Sequence, residues 1–204
     1  MAIATTIATS GAEAATGLAN CLPPHTRTLA KDREVRVYSL ARKLPIREDV
    51  YACVLGRGTT FALAKPRRYQ PASIDHIALA GTIVAYTEAT HGVDTASTDI
   101  VVLDVAKRRI LLTIPRAGGF VDACVISFSE VTDLVVTRLG SVAWIVRKGT
   151  RCKTSTFQVY RARVSATAPA PLEEGPAIGA MSLRLANQTV SWVNGQARRS
   201  ARLP

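Results

Sequence analysis

A short pattern recurs four times along the 204-residue chain: a β-rich run opened by an aliphatic residue, a turn, then a second β-rich run carrying an aromatic ring. The rings are Tyr51, Tyr86, Trp144 and Trp192, each 12 to 14 residues after its opening aliphatic, Val37, Ile74, Val131 or Ile178. In three units the ring closes a tripeptide of valine, small residue and aromatic: Val84-Ala85-Tyr86, Val142-Ala143-Trp144 and Val190-Ser191-Trp192. An internal repeat of short strands predicts a stacked or radial β architecture. The four rings are expected in its interior, where each supplies a large apolar contact. Rings facing solvent would instead form a carbohydrate platform.

The rest of the chain agrees with an all-β reading. Residues 1–33 read as an irregular arm in which Pro23-Pro24 blocks regular structure. A single β domain follows over 34–204: a propeller-like array of about four antiparallel three- to four-stranded units. The first has strands at 35–40, 49–54 and 59–64. The second has 74–79, 82–88, 100–105 and 110–114, with a long polar loop over 89–98. The run 100–105 is β-branched almost throughout, as in a strand covered on both faces. Residues 115–119 break the pattern and 121–127 read as an additional strand. The third unit has 131–137, 141–147 and 156–164, with a basic loop over 147–155. An Ala/Pro linker at 166–171 leads to strands at 178–185, 189–193 and 197–203. No window shows an apolar helical period beyond a turn or two.

Composition narrows the class. The chain is 48% hydrophobic and 20% charged, which excludes wholesale disorder. No apolar run approaches the length of a membrane-spanning helix. The net charge of +11 invites a nucleic-acid reading, but the basic residues are scattered; the densest groups (Lys65, Arg67, Arg68; Lys107, Arg108, Arg109; Arg198, Arg199, Arg202) fall at strand ends and turns. A nucleic-acid surface gathers its cations on one face beside exposed aromatics, and aromatics are only 5% here. An acidic envelope polymer, or a protein partner, is a better expectation than nucleic acid, and a solvated basic surface with no specific partner is the plainest one.

Cys21, Cys53, Cys124 and Cys152 are too far apart for a C-x-x-C metal or redox motif. Their even number predicts two disulfides in an oxidising compartment. Of the three pairings, Cys21–Cys53 and Cys124–Cys152 are favoured, the first stapling the arm to the first unit. The Ala- and Thr-rich residues 1–20 contain small-residue sites such as Ala12-Glu13-Ala14, as a leader remnant would, although no basic residue precedes Arg27. The expected address is extracytoplasmic or secreted.

Chemistry-bearing motifs are scarce. There is no nucleophile elbow, zinc-protease motif, P-loop or dinucleotide fingerprint. His76 follows Asp75 on a strand, where neighbours point to opposite faces, so the two read as a solvent-facing pair. In the loop 90–99, His91, Asp94 and Asp99 are the weak candidates for a shared cation. Two aspartates fall short of the six to eight oxygens that calcium takes, so a turn-forming polar loop is the plainer expectation. Glu173-Glu174 reads as a solubilising pair in the linker, and Asp104 and Asp133 as strand residues bonded to nearby backbone. No catalytic residue and no cofactor are assigned.

Several segments resemble uncharacterised exported proteins of actinobacteria: Arg36-Val37-Tyr38 through Val50-Tyr51-Ala52-Cys53, the run 79–86, Gly140-Ser141-Val142-Ala143-Trp144, and Val190-Ser191-Trp192 with Ser200-Ala201-Arg202-Leu203. Those proteins are similar to partial or divergent β-propellers of the WD40-like and TolB-like kind. The resemblance spans roughly 20–203 and implies a fold without a known activity. Three functions follow as expectations: a non-catalytic propeller-like binding or scaffold module at the cell envelope, an envelope hydrolase or lyase on the same scaffold, or a basic nucleic-acid-binding domain. Loops 89–98 and 147–155 are the expected contact edge.

Overall fold

The computed structural model describes residues 21–42, 47–64, 72–92, 95–121, 127–150, 153–166 and 168–203. Every regular element among them is a strand, and every ladder is antiparallel. Among the described residues no helix is long and apolar enough to cross a membrane. Asp94, Cys124 and Cys152 lie outside the described residues.

The first sheet is a meander of β1 (Thr26–Lys31), β2 (Val35–Arg42), β3 (Arg47–Val54) and β4 (Thr59–Ala64). The second runs, in order, β5 (Ala72–Ala80), β6 (Ile83–His91), β7 (Thr95–Asp104), β8 (Arg109–Val121), β9 (Ser127–Val136), β10 (Val142–Thr150), β11 (Lys153–Ala162) and β12 (Ala170–Gly175). The third holds β13 (Arg184–Ala186), β14 (Thr189–Asn194) and β15 (Ala197–Arg202). The strands therefore group as four, eight and three rather than as four separate units. The merger occurs where Gly119, Phe120 and Val121 of β8 pair with Ser129, Phe128 and Ser127 of β9.

Strand alternation explains how three cores arise from so few layers. In β6, Val84 and Tyr86 turn toward Val35, Val37 and Ala52 of the first sheet. Their neighbours Ile83 and Ala85 turn the other way, into a core shared with Val131, Val142 and Trp144 of β9 and β10. Ala143 and Ile145 of β10 in turn face Val190, Trp192 and Leu203 of the C-terminal segment. β7 is divided in the same manner, with Ile100 and Val102 in one core and Val101 and Leu103 in the other. The stretches 83–86, 100–103 and 142–146 of these strands are apolar throughout because both faces are covered. Each fully buried valine or isoleucine contributes roughly 1.5–3 kcal/mol. No ladder or core cluster joins the third sheet to the first among the described residues.

Tyr86 on β6, Trp144 on β10 and Trp192 on β14 are buried, the first against the first sheet, the second against β6 and β7, the third against β10. Tyr51 departs from this pattern. It lies on the third strand, β3, half-exposed, and the matching place on β2 belongs to Tyr38. Tyr38 and Tyr51 are cross-strand partners, stacked with centroids 5.6 Å apart on the outward face of the first sheet. Sequence spacing counted the ring that is more exposed and passed over its buried neighbour.

Other boundaries also differ from expectation. Residues 26–31, read as part of an irregular arm, form β1, because alternating Thr26 and Thr28 offer hydroxyls to the buried Arg36 guanidinium. The same guanidinium donates to the Cys21 carbonyl, and Cys21 is disulfide-bonded to Cys53. Residues 115–119 do not interrupt β8: 115–117 form a bulge within it, and Gly118 and Gly119 are paired with β7. The linker 166–171 runs into a strand, β12. Only Arg184–Ala186 of the expected strand 178–185 is extended pairing, with Ile178 reduced to an isolated bridge to Asn194.

Candidate anion-binding cleft

The expected long loop 89–98 is a tight hairpin: His91 pairs with Ala96, and β6 and β7 run on to its tip. This hairpin, the bulged part of β8, the start of β9 and the end of β10 enclose a cleft of about 640 Å³. That volume is in the range of small-ligand sites. Its polar lining includes His91, Thr95, Arg116, Ser129 and Lys148, with Phe128 as the aromatic member. The expected contact edges 89–98 and 147–155 thus meet at one site, to which the latter contributes Lys148 and Gly149.

The bulge decides the chemistry. Thr98 pairs with Gly118 and Ile100 with Ile114, so Pro115, Arg116 and Ala117 together oppose Asp99 alone. Pro115 has no N–H for the ladder, which favours the break there. Arg116 adopts a left-handed backbone (φ 54°), unusual for a residue with a side chain. Asp99 stabilises it: Oδ1 accepts the Arg116 N–H at 2.9 Å. Behind the bulge, Gly118 and Gly119 let three strands meet. A Cβ on Gly119 would lie 2.3 Å from the Ala96 carbonyl oxygen, at φ +141°.

Lys148, from β10, is held by Tyr160. Its Nζ donates to Tyr160 Oη at 3.1 Å and sits 5.6 Å from the ring centroid. The Tyr160 hydroxyl donates onward to Gln158, and the ring stacks on Trp144 with centroids 5.4 Å apart. Arg147 lies over Phe128 at 5.3 Å and is paired with Glu130. Among the described residues no carboxylate pairs with Arg116 or Lys148, and none lines the cleft.

The cation expectation takes a different form here. His91 and Asp99 are an odd number of residues apart along the β6–β7 ladder, on opposite faces. Asp99 serves the Arg116 backbone, and no group of three metal-binding side chains occurs among the described residues. Asp75 is exposed and His76 half-buried. Ile74 pairs with Glu88 and Ile77 with Tyr86, so the two residues oppose Thr87 alone in a β-bulge, where simple alternation fails. Both line a second cleft of about 450 Å³ that shares His91, Phe128 and Ser129 with the first. His76 donates its backbone N–H to Thr87 Oγ1 at 2.9 Å. No hydroxyl is bonded to a histidine ring among the described residues.

The remaining acidic residues are structural. Asp133 accepts the Leu134 N–H at 3.0 Å and the Leu183 N–H at 2.8 Å. Burial raises its pKa, and those two bonds oppose the rise. Asp104 accepts from Thr82 and the Lys107 backbone. Glu173, expected to be a solubilising linker residue, lies on β12 and accepts from Trp192 and Asn194. Tyr86 donates to the Leu63 carbonyl at 2.6 Å, and burial pushes its phenol well above the ordinary value. Among functional residues, sequence reading missed Arg116 and Lys148. The available signal was Pro115 inside an otherwise β-rich run, which marks a bulge. No family model matches the chain, and a search of curated proteins found no match.

Proposed function

We propose that the protein is a non-catalytic binding module that holds an anionic polymer of the cell envelope, carried on a propeller-like array of four strand units outside the cytoplasm. The observation that carries this reading is the pair Arg116 and Lys148: two cations in the lining of one cleft, with no carboxylate among its described lining residues. Hydroxyls of Thr95 and Ser129 add donors for sugar or phosphate oxygens. The Cys21–Cys53 bond suits an oxidising compartment. Contacts between the first strands of successive groups, β1 with β5, β5 with β9 and β9 with β13, suit a radial arrangement.

The test is retention on immobilised polygalacturonate and poly(glycerol phosphate), with neutral dextran and duplex DNA as comparators. Retention on an anionic polymer is expected to weaken with salt. Arg116→Ala and Lys148→Ala should each reduce affinity about tenfold, as loss of a charge-assisted hydrogen bond does. Retention on DNA alone would support the nucleic-acid reading, and turnover of the polymer would support a hydrolase or lyase. Either result overturns this proposal.

A further inference from the structure

A smaller recess of about 260 Å³ adjoins the cleft and shares Arg116, Ser129 and Lys148 with it. Its other walls include Pro115, Trp144, Tyr160 and Pro169. Trp144 is almost fully buried, and its indole N–H has no hydrogen-bond acceptor among the described residues. Native interiors rarely leave such a donor unmet. The contrast within this protein is direct: Trp192, at the corresponding strand position, donates to Glu173.

Among the described residues neither cation at the rim is paired with a carboxylate. Lys148 uses one of its three N–H donors on Tyr160, which leaves two. Arg116 is presented by a strained backbone that the Asp99 carboxylate maintains, and strain of that kind concentrates at functional positions. A polymer in the larger cleft would pass Arg116 and Lys148, where a pendent group can enter the recess.

Resting on the reading proposed above, we infer that the recess takes one oxyanion of the bound polymer, a carboxylate or phosphodiester, with Arg116, Lys148 and the Trp144 indole N–H as its donors. Each oxygen of such a group accepts more than one hydrogen bond, and charge-assisted bonds to guanidinium and ammonium are the strong ones.

The indole ¹⁵N–¹H resonances of the native protein provide the test, since the chain has only two tryptophans. Trp144→Phe and Trp192→Phe assign them. Addition of polygalacturonate or poly(glycerol phosphate) should move the Trp144 resonance downfield, saturating with binding, and leave the Trp192 resonance in place. Trp144→Phe should weaken retention several-fold while Lys148→Gln abolishes the resonance shift at matched polymer concentration. A response to polygalacturonate identifies a carboxylate, and one to poly(glycerol phosphate) a phosphodiester. If the protein is retained but the Trp144 resonance does not move, the recess assignment fails and the polymer reading stands. If no anionic polymer is retained, both fail.

Discussion

Trp192 donates its indole N–H to the carboxylate of Glu173, tying the middle strand of the three-stranded sheet to the outermost strand of the eight-stranded one. Asn194 donates to the other carboxylate oxygen at 2.8 Å, and Arg199 lies 3.6 Å from it. Burial alone would raise the Glu173 pKa. The bonds from Asn194 and Trp192, with the Arg199 charge, outweigh it and hold the group below its ordinary value of 4.5. A carboxylate depressed in this way stabilises the fold above its unfolded pKa, and that contribution is lost as pH falls through the folded pKa. Glu173→Gln should therefore unfold at a lower temperature than the native protein at pH 7. The gap should narrow as pH falls below 4.5 and close once it is below the folded-state pKa. Thermal melts across pH 3–7 check this, and a pH-independent gap would contradict the linkage.

The Cys21–Cys53 bond closes a loop of 32 residues and anchors the segment that covers Tyr38. Loop-closure entropy predicts a cost of about 3–4 kcal/mol for its removal. Denaturant unfolding of a Cys21→Ala, Cys53→Ala variant measures it without touching the other cysteines. A loss below 1 kcal/mol would mean that the arm contributes little to the unfolded-state constraint.

Gly119 and Gly56 both have positive φ, but only Gly119 is also crowded; a Cβ on Gly56 meets nothing within 4 Å. Gly56→Ala should cost roughly 1–2 kcal/mol, the ordinary left-handed penalty. Gly119→Ala should cost roughly 4 kcal/mol or more, in the range reserved for severe backbone or packing faults, and prevent soluble expression. Equal stability of the two variants would remove the proposed three-strand approach at Gly118–Gly119.

Asp99 touches no part of the cleft's charged rim directly; it positions Arg116 through a backbone bond. Asp99→Ala is expected to lower polymer affinity about fivefold, whereas Asp99→Asn, whose carbonyl can still accept that N–H, should retain it. Melting temperatures of the two variants should agree within a few degrees. An identical loss of affinity in both would assign Asp99 an electrostatic role instead.

Asp133 crosses from β9 to the third sheet's leading segment by accepting the Leu183 N–H. Replacing it with Ala leaves that donor and the Leu134 N–H unpaired, which should cost roughly 2–4 kcal/mol. Denaturant unfolding reads the loss.

Local chemistry made much of this protein legible. β-Branched runs such as 100–105 signalled strands covered on both faces, and Ile100 and Val101 do face opposite cores. The valine–small–aromatic tripeptides placed three rings that are buried. Tyr38, β1 and β12 were missed because their status depends on neighbours: Tyr38 is buried by the Cys21 segment, and Thr26 and Thr28 are drawn into pairing by Arg36. Glu173 looked solvated beside Glu174 until the Trp192 strand reached it.

Alternation along each strand was determined by the sequence, because side-chain period and apolar burial are properties of a single segment. Which strands lie side by side was decided only in three dimensions. The candidate site belongs to that second class. Pro115 announces an irregular strand, but Arg116 reaches the cleft because Asp99, 17 positions earlier, accepts its N–H from the adjoining strand. Lys148 lines the same cleft only because β8 and β9 pair across two glycines too small to hold them apart.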